Sequence, residues 1–494
     1  MTLRFLLASC TMLCLASVPL QIQAQFDDAA RQSYDQFRAK ARKDYDDFRA
    51  KANAAYAEHM KKAWASFRAE QPVPKPHEEK RPPQTFPDDE QERLSIESRP
   101  VPIDSITPAP SPKPRPRPLS PIQVTPIAQQ PVVEFTWCGT ACTVRRPQHA
   151  LAPLASCDNA TLSAAWKTLS STDLDNTLAD CLNIRSERDM NDWAYLNMLH
   201  ALTETWLGKG NTATFVAAYL YCQSGYQMRL ARHGQDLCML FGSPYVIYGK
   251  AFYIIGGTNY YAYGLDAKAQ VEVCNVEFPQ EQPMCLALPR LPRLNDSEAA
   301  QRTLTSSRYP QMKVEVSVNQ NLLDFFDSYP NSYTDNNFMT RWALYANTPL
   351  DPAVAEKLYP ALQALIGGKT QHEAADMLLN WVQTALTYGY DDQVWGYDRA
   401  FFAEESLHYP FCDCEDRSIL FTRLIRDLLH LKALLVYYPG HLATAIAFTD
   451  NVPGDYVELR GTRYVVCDPT YINAPVGHTM PDMDNATAQV ILLE

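Results

Sequence analysis

Residues 409–429 read Tyr409-Pro-Phe-Cys-Asp-Cys-Glu-Asp-Arg-Ser-Ile-Leu-Phe-Thr-Arg-Leu-Ile-Arg-Asp-Leu-Leu. From Glu415 onward the apolar residues Ile419, Phe421, Leu424, Ile425 and Leu428 recur at helical spacing. Cys414 therefore starts a helix, just after a turn. Backbone N–H groups at a helix start have no partner in the helix and favour negative charge. A thiolate placed there is expected to have a lowered pKa, which is what a nucleophilic cysteine needs. The same N–H groups suit an oxyanion.

Outward from this helix the chain turns to strands. Lys432 to Tyr438 is an apolar run, broken by Pro439-Gly440-His441. Leu442 to Phe448 reads as a second strand. After Gly454-Asp455 come Tyr456 to Leu459 and Gly461-Thr462, and Tyr464-Val-Val-Cys-Asp-Pro-Thr ends a third strand at Asp468. A cysteine at a helix start, a histidine at a strand start and an aspartate on a neighbouring strand can converge. His441 would then deprotonate Cys414, and Asp468 would orient the imidazole.

These pieces are Cys414-Glu-Asp-Arg-Ser, Gly440-His-Leu-Ala-Thr-Ala and Cys467-Asp-Pro-Thr-Tyr. In this order, over about residues 370–475, they resemble the transglutaminase-like (papain-type) core. The resemblance implies an α+β fold with an antiparallel sheet and a Cys414–His441–Asp468 triad acting on amide bonds. It departs from the family at Cys412, where many members have glycine two residues before the nucleophile. Cys414 is preferred because it begins the helix. The whole chain is also similar to a family of secreted proteins from gut-type Bacteroidetes, which share an aromatic repeat, a proline-rich linker and such a C-terminal domain. That likeness implies no particular activity.

Gln383, one helix upstream, is a candidate side-chain donor to the oxyanion, with a solvated helix residue as the plainer reading. Cys412 and Cys467 flank the expected nucleophile and acid, so a Cys412–Cys467 disulfide is expected if the triad assembles. The chain has 13 cysteines. Cys10 and Cys14 fall in the expected signal segment, and the odd remainder suggests disulfides plus one free thiol. No CxxC pair with a matching pair of His or Cys is present, so neither a structural metal nor a cofactor is expected.

The 494 residues exceed one typical core, and the net charge of -12 argues against nucleic acid as a partner. Residues 1–24 read as a secretory signal, with Arg4 ahead of an apolar run and Ala24 at the cleavage point. The chain is thus expected to be exported, to the periplasm or the cell surface, with no transmembrane segment after signal removal. Residues 25–70 carry an eleven-residue repeat. Tyr34-Asp-Gln-Phe-Arg-Ala-Lys-Ala recurs at Tyr45, and Tyr56 and Phe67 continue the aromatic position. Eleven residues are close to three helical turns, so one aromatic face results. It would pack on its own domain or self-associate. Residues 71–132 are rich in proline and read as an extended, semi-rigid linker.

Residues 133–345 are expected to form an α+β domain, with helical patterns at 160–182, 190–207 and 212–224 followed by short strands. Residues 346–494 hold the expected catalytic core. Gly257-Thr-Asn-Tyr repeats as Gly461-Thr-Arg-Tyr at an offset of 204 residues. At that offset Gly210, Leu237 and Gly264 fall at the places of Cys414, His441 and Asp468. Residues 190–266 are therefore a candidate degenerate copy without a triad.

Three functions fit. The first is a cysteine hydrolase or acyl transferase acting on protein or cell-wall peptide amides. The second is a non-catalytic envelope or surface scaffold using the same fold. The third is a redox role for Cys412-Asp-Cys414, disfavoured because a CxC disulfide is strained.

Overall fold

The computed structural model describes residues 20–494 except 88–95, 112, 128, 265–268 and 485–486, and only the backbone of residues 20–30. The expected signal segment lies almost wholly outside the described residues. The architecture is α+β, built on two six-stranded sheets whose strands are antiparallel except at one edge. No helix among the described residues is long and apolar enough to cross a membrane.

The first sheet runs in the order 64–68, 270–274, 228–233, 236–243, 258–263, 252–255. The second runs 105–107, 489–491, 432–438, 441–447, 462–467, 456–459. The two orders correspond strand for strand. Shifting Phe252–Ile255 and Thr258–Tyr263 by 204 residues lands on Tyr456–Leu459 and Thr462–Cys467. The same shift sets helix Asn211–Gln223 on helix Cys414–Leu428. Even the hairpin turns agree. Gly256-Gly257 and Arg460-Gly461 all have positive φ, as a tight two-residue hairpin requires. The halves thus repeat one architecture. In the first, the three triad positions are Gly210, Leu237 and Gly264, and the Leu237 N–H donates to the Asn211 side chain.

Local signals explain the main helices. Thr370 and Glu373 form a capping box at the start of Gln371–Ala385. Asp351 caps Pro352–Ile366, with proline in the first turn where its missing N–H costs nothing. The single helix expected over 160–182 is two, Asn159–Ser171 and Asp175–Glu187. The break lies at Thr172–Leu174, where Thr172 leaves helical geometry and the Leu174 N–H bonds the Thr172 carbonyl.

One hydrophobic cluster crosses the expected boundary at 345/346. It joins Trp166, Trp193, Tyr221 and Trp342 to Cys414, Leu435 and Ile491. A second core, around Trp381, Phe421 and Leu424, backs the Cys414 helix. The 41-residue helix Leu20–Met60 docks through its C-terminal half, where Asp46 accepts from Gln123 and Arg49 pairs with Asp175. Tyr56 and Met60 are buried, and Asn53 accepts from Trp166 Nε1 at 3.0 Å. Tyr34, Phe37, Tyr45 and Phe48 stay exposed.

The described residues of 71–132 are extended as expected but are not a spacer. Val73 O accepts from the Gly249 N–H at 2.8 Å, and Phe86 N–H donates to Ile472 O at 2.8 Å. Val101 N–H donates to Tyr456 O at 2.7 Å, and residues 105–107 add a parallel edge strand beside 489–491. The proline-rich chain binds the two sheets together. Proline suits this course, because single carbonyls and a few N–H groups suffice for such edge contacts.

Candidate active site

Asp413 caps the helix Cys414–Leu428. Its carboxylate accepts from the Glu415 N–H, and its own N–H donates to Asp416 Oδ2 at 3.1 Å. This box fixes Cys414 in the first turn. One turn later Ser418 Oγ donates to the carbonyl of Leu442 at 2.8 Å, tying the helix to the residue after His441. Strand His441–Ala447 lies between 432–438 and 462–467. His441 Nε2 lies 2.8 Å from Asp468 Oδ2, and both side chains are buried. Asp468 Oδ1 accepts from the N–H groups of Thr470 and Tyr471 at 2.9 and 3.2 Å. With Asp468 accepting on both oxygens, Nε2 carries the imidazole proton. Nδ1, buried and without a hydrogen-bond partner, is then the basic nitrogen.

Gln383 is engaged elsewhere. Its Nε2 donates to the carbonyls of Asp468, Tyr471 and Ala474 at 2.8–3.0 Å, and its Oε1 accepts from the Asn473 N–H. It holds the Asp468 turn and has no N–H left for an oxyanion. Arg417 works beside it, donating to the carbonyls of Gln383, Leu386 and Pro469. The expected Cys412–Cys467 disulfide is absent. Both are buried free thiols, and each sulfur faces a backbone carbonyl, Thr387 O for Cys412 and Val465 O for Cys467. None of the other cysteines among the described residues is bridged either. Cys412 lies in a short strand paired to 387–388, whereas Cys467 ends the strand beside 441–447.

The thiol of Cys414 is pushed up, not down. Burial is the main cause, reinforced by the charges of Glu415 and Asp413 and opposed by Lys80 and the Leu442 N–H. Its Sγ lies 3.2 Å from Glu415 Oε2. The helix-start effect expected from the sequence is outweighed because the site is closed over. The cover is the segment 78–86. Arg81 N–H donates to Gly440 O at 2.9 Å, and Ile472 N–H donates to Gln84 O at 2.8 Å. The segment thus pairs with the turn before His441 on one side and the turn after Asp468 on the other.

From this strap Lys80 enters a buried acidic pocket. Its Nζ lies 2.5 Å from Glu415, 3.2 Å from Asp398 and 3.4 Å from Asp413. Carboxylate oxygens of Asp391, Asp398, Asp413 and Glu415 lie within 4.8 Å of one another, close enough to surround one cation. Burial alone would raise Glu415, but Lys80 and a hydrogen bond with Asp413 hold it well below the carboxylate range. Burial and the Glu415 charge push Asp391 up to about 8 and Asp398 to about 6. Burial likewise pushes Glu404 up to about 8. The sequence singled out none of Lys80, Asp391 and Asp398. Lys80 sits in a charged, proline-flanked stretch with no periodicity, and such residues are usually solvated.

These raised carboxyls have a consequence for stability. Between about pH 4 and pH 8 the folded chain binds more protons than the unfolded one, whose carboxyls titrate near 4. Stability is therefore expected to fall as pH rises through that window, by a few kcal/mol. Glu415 acts oppositely, but only below its unfolded pKa, near 4.3. Urea midpoints at pH 5.5 and 8.5 check this. A flat profile would mean that these carboxyls are ionised in the folded state.

No family model, curated protein or solved structure matches the chain.

Proposed function

We propose that the chain is a cysteine-dependent amide hydrolase or acyl transferase with a transglutaminase-like, papain-type site. The observation that carries this is the His441–Asp468 pair. It leaves a buried, unpartnered Nδ1 next to the residue against which the Cys414 helix is tied. His441 Nδ1 takes the Cys414 proton, and the thiolate attacks an amide carbonyl. The tetrahedral oxyanion collapses, the C–N bond breaks, and the amine leaves with the proton from the imidazolium. The thioester then passes to water, activated by the same nitrogen, or to a second amine. Hydrolysis of protein or cell-wall peptide amides by an exported enzyme is the preferred form. A scaffold role is the second reading, favoured by the exposed aromatic face of Tyr34, Phe37, Tyr45 and Phe48.

The test is alkylation by iodoacetamide across pH 5–9, read by peptide mass spectrometry. Cys414 is expected to label at a rate that falls at least about tenfold in His441→Ala, while the other buried thiols are unchanged. A Cys414 that labels at the same rate with and without His441 removes the catalytic reading and leaves the scaffold.

A further inference from the structure

The strap lies over the site in the way a bound peptide would. Its backbone exchanges hydrogen bonds with both walls, through Arg81 to Gly440 and through Gln84 and Phe86 to Ile472. Recognition of an extended peptide by main-chain bonds, with pockets for particular side chains, is a general mode of binding. Gly440 is shaped for it. A Cβ there would lie 2.3 Å from the carbonyl oxygen of Glu79, so only glycine lets a peptide carbonyl approach this wall.

The pocket under Lys80 is built around a cation. Its acids come from three places, the 391–398 segment, the helix cap Asp413 and the helix residue Glu415. Asp398 is also held by Arg341 at 3.0 Å. Burying several carboxylates is costly, and an apolar filling would serve stability as well or better. Their convergence next to Cys414, with an ammonium lodged among them, is economical if that ammonium stands for a ligand.

We propose that the cleft binds an extended peptide bearing a lysine, whose side chain enters the pocket of Asp398, Asp413 and Glu415. Residues 78–86 are its resident intramolecular occupant, with Lys80 in the lysine's place, and they close the site until displaced. The proposal rests on the reading of Cys414 as nucleophile and names the substrate feature that the site selects. The pocket distinguishes a flexible point charge from a neutral chain of the same length.

The full chain carrying Phe86→Ala tests it. This change loosens the strap where Phe86 packs on Tyr471 and His478, away from the acidic pocket. Cys414 is expected to alkylate at least tenfold faster than in the unaltered chain. A synthetic peptide of residues 78–86 should restore protection, and its analogue with norleucine for lysine should need at least tenfold more. Lys80→Met loosens the strap from the other end and serves if Phe86→Ala fails to fold. Equal labelling with and without the change overturns the closure. Equal protection by the two peptides, or by neither, overturns the lysine pocket while leaving a reactive Cys414. A Cys414 inert in every protein takes the nucleophile reading down as well.

Discussion

Asp468→Asn, made together with Phe86→Ala, is expected to slow alkylation of Cys414 by about 100-fold or more, without loss of the fold. The reason is the direction of one proton. Asp468 Oδ1 is bound to two backbone N–H groups and Oδ2 to His441 Nε2. In the asparagine variant the amide oxygen must stay with the N–H groups, so the amide NH2 turns toward the imidazole. Nε2 then has to accept, and the ring proton moves to Nδ1. Nδ1, the nitrogen proposed to take the Cys414 proton, then carries a proton of its own and can no longer act as the base. The pH–rate profile separates this from mere loosening. A loosened site keeps the profile and changes its height, whereas a reversed tautomer loses the limb that reports imidazole deprotonation. Wild-type rates in the asparagine variant would mean that His441 does not activate Cys414.

Arg417→Ala is expected to cost about 3–5 kcal/mol in urea denaturation, the largest stability effect of any single side chain near the site. The guanidinium is buried and serves three carbonyls, on Gln383, Leu386 and Pro469. Its removal leaves those acceptors without a donor in a place closed to water. Two of them belong to the helix that carries Gln383 and to the residue after Asp468. The loss therefore spreads to the turn that positions the acid. Arg417→Lys should recover only part of it, because an ammonium cannot fan out to three acceptors as a planar fork does. A cost below about 1 kcal/mol would show that water reaches these carbonyls.

The elements around Cys414 were legible because each leaves a periodic mark. The run Lys432 to Tyr438 and the turn Pro439-Gly440 predicted the hairpin, and the strand Lys432–Tyr438 has those bounds. The 204-residue offset was visible through Gly257-Thr and Gly461-Thr, since tight hairpin turns demand particular residues. The offset then held for a helix and four strands. Gln383 was located correctly but misjudged. Its position marks it only as a polar residue on a mostly apolar helix, and nothing local says that a turn 85 residues later needs its amide. The strap was illegible for a related reason. Its docking depends on backbone bonds, one lysine and one aromatic ring, none of which imposes a period. The pull on the Cys414 thiol was read with the wrong sign because a sequence reveals a helix start but not what covers it.

Strand 489–491 lies between 105–107 and 432–438, as 270–274 lies between 64–68 and 228–233. Each inserted strand joins a late piece of chain to an early one. During synthesis the early pieces must wait, unpaired, until the late ones exist. Long-range closures of this kind slow folding and leave strand edges open meanwhile. Refolding should therefore finish with the seating of residues 489–491, and the strap, held between the same two early strands, should settle only then. The molecule would reach its closed state as the last act of folding, after both halves have formed around it.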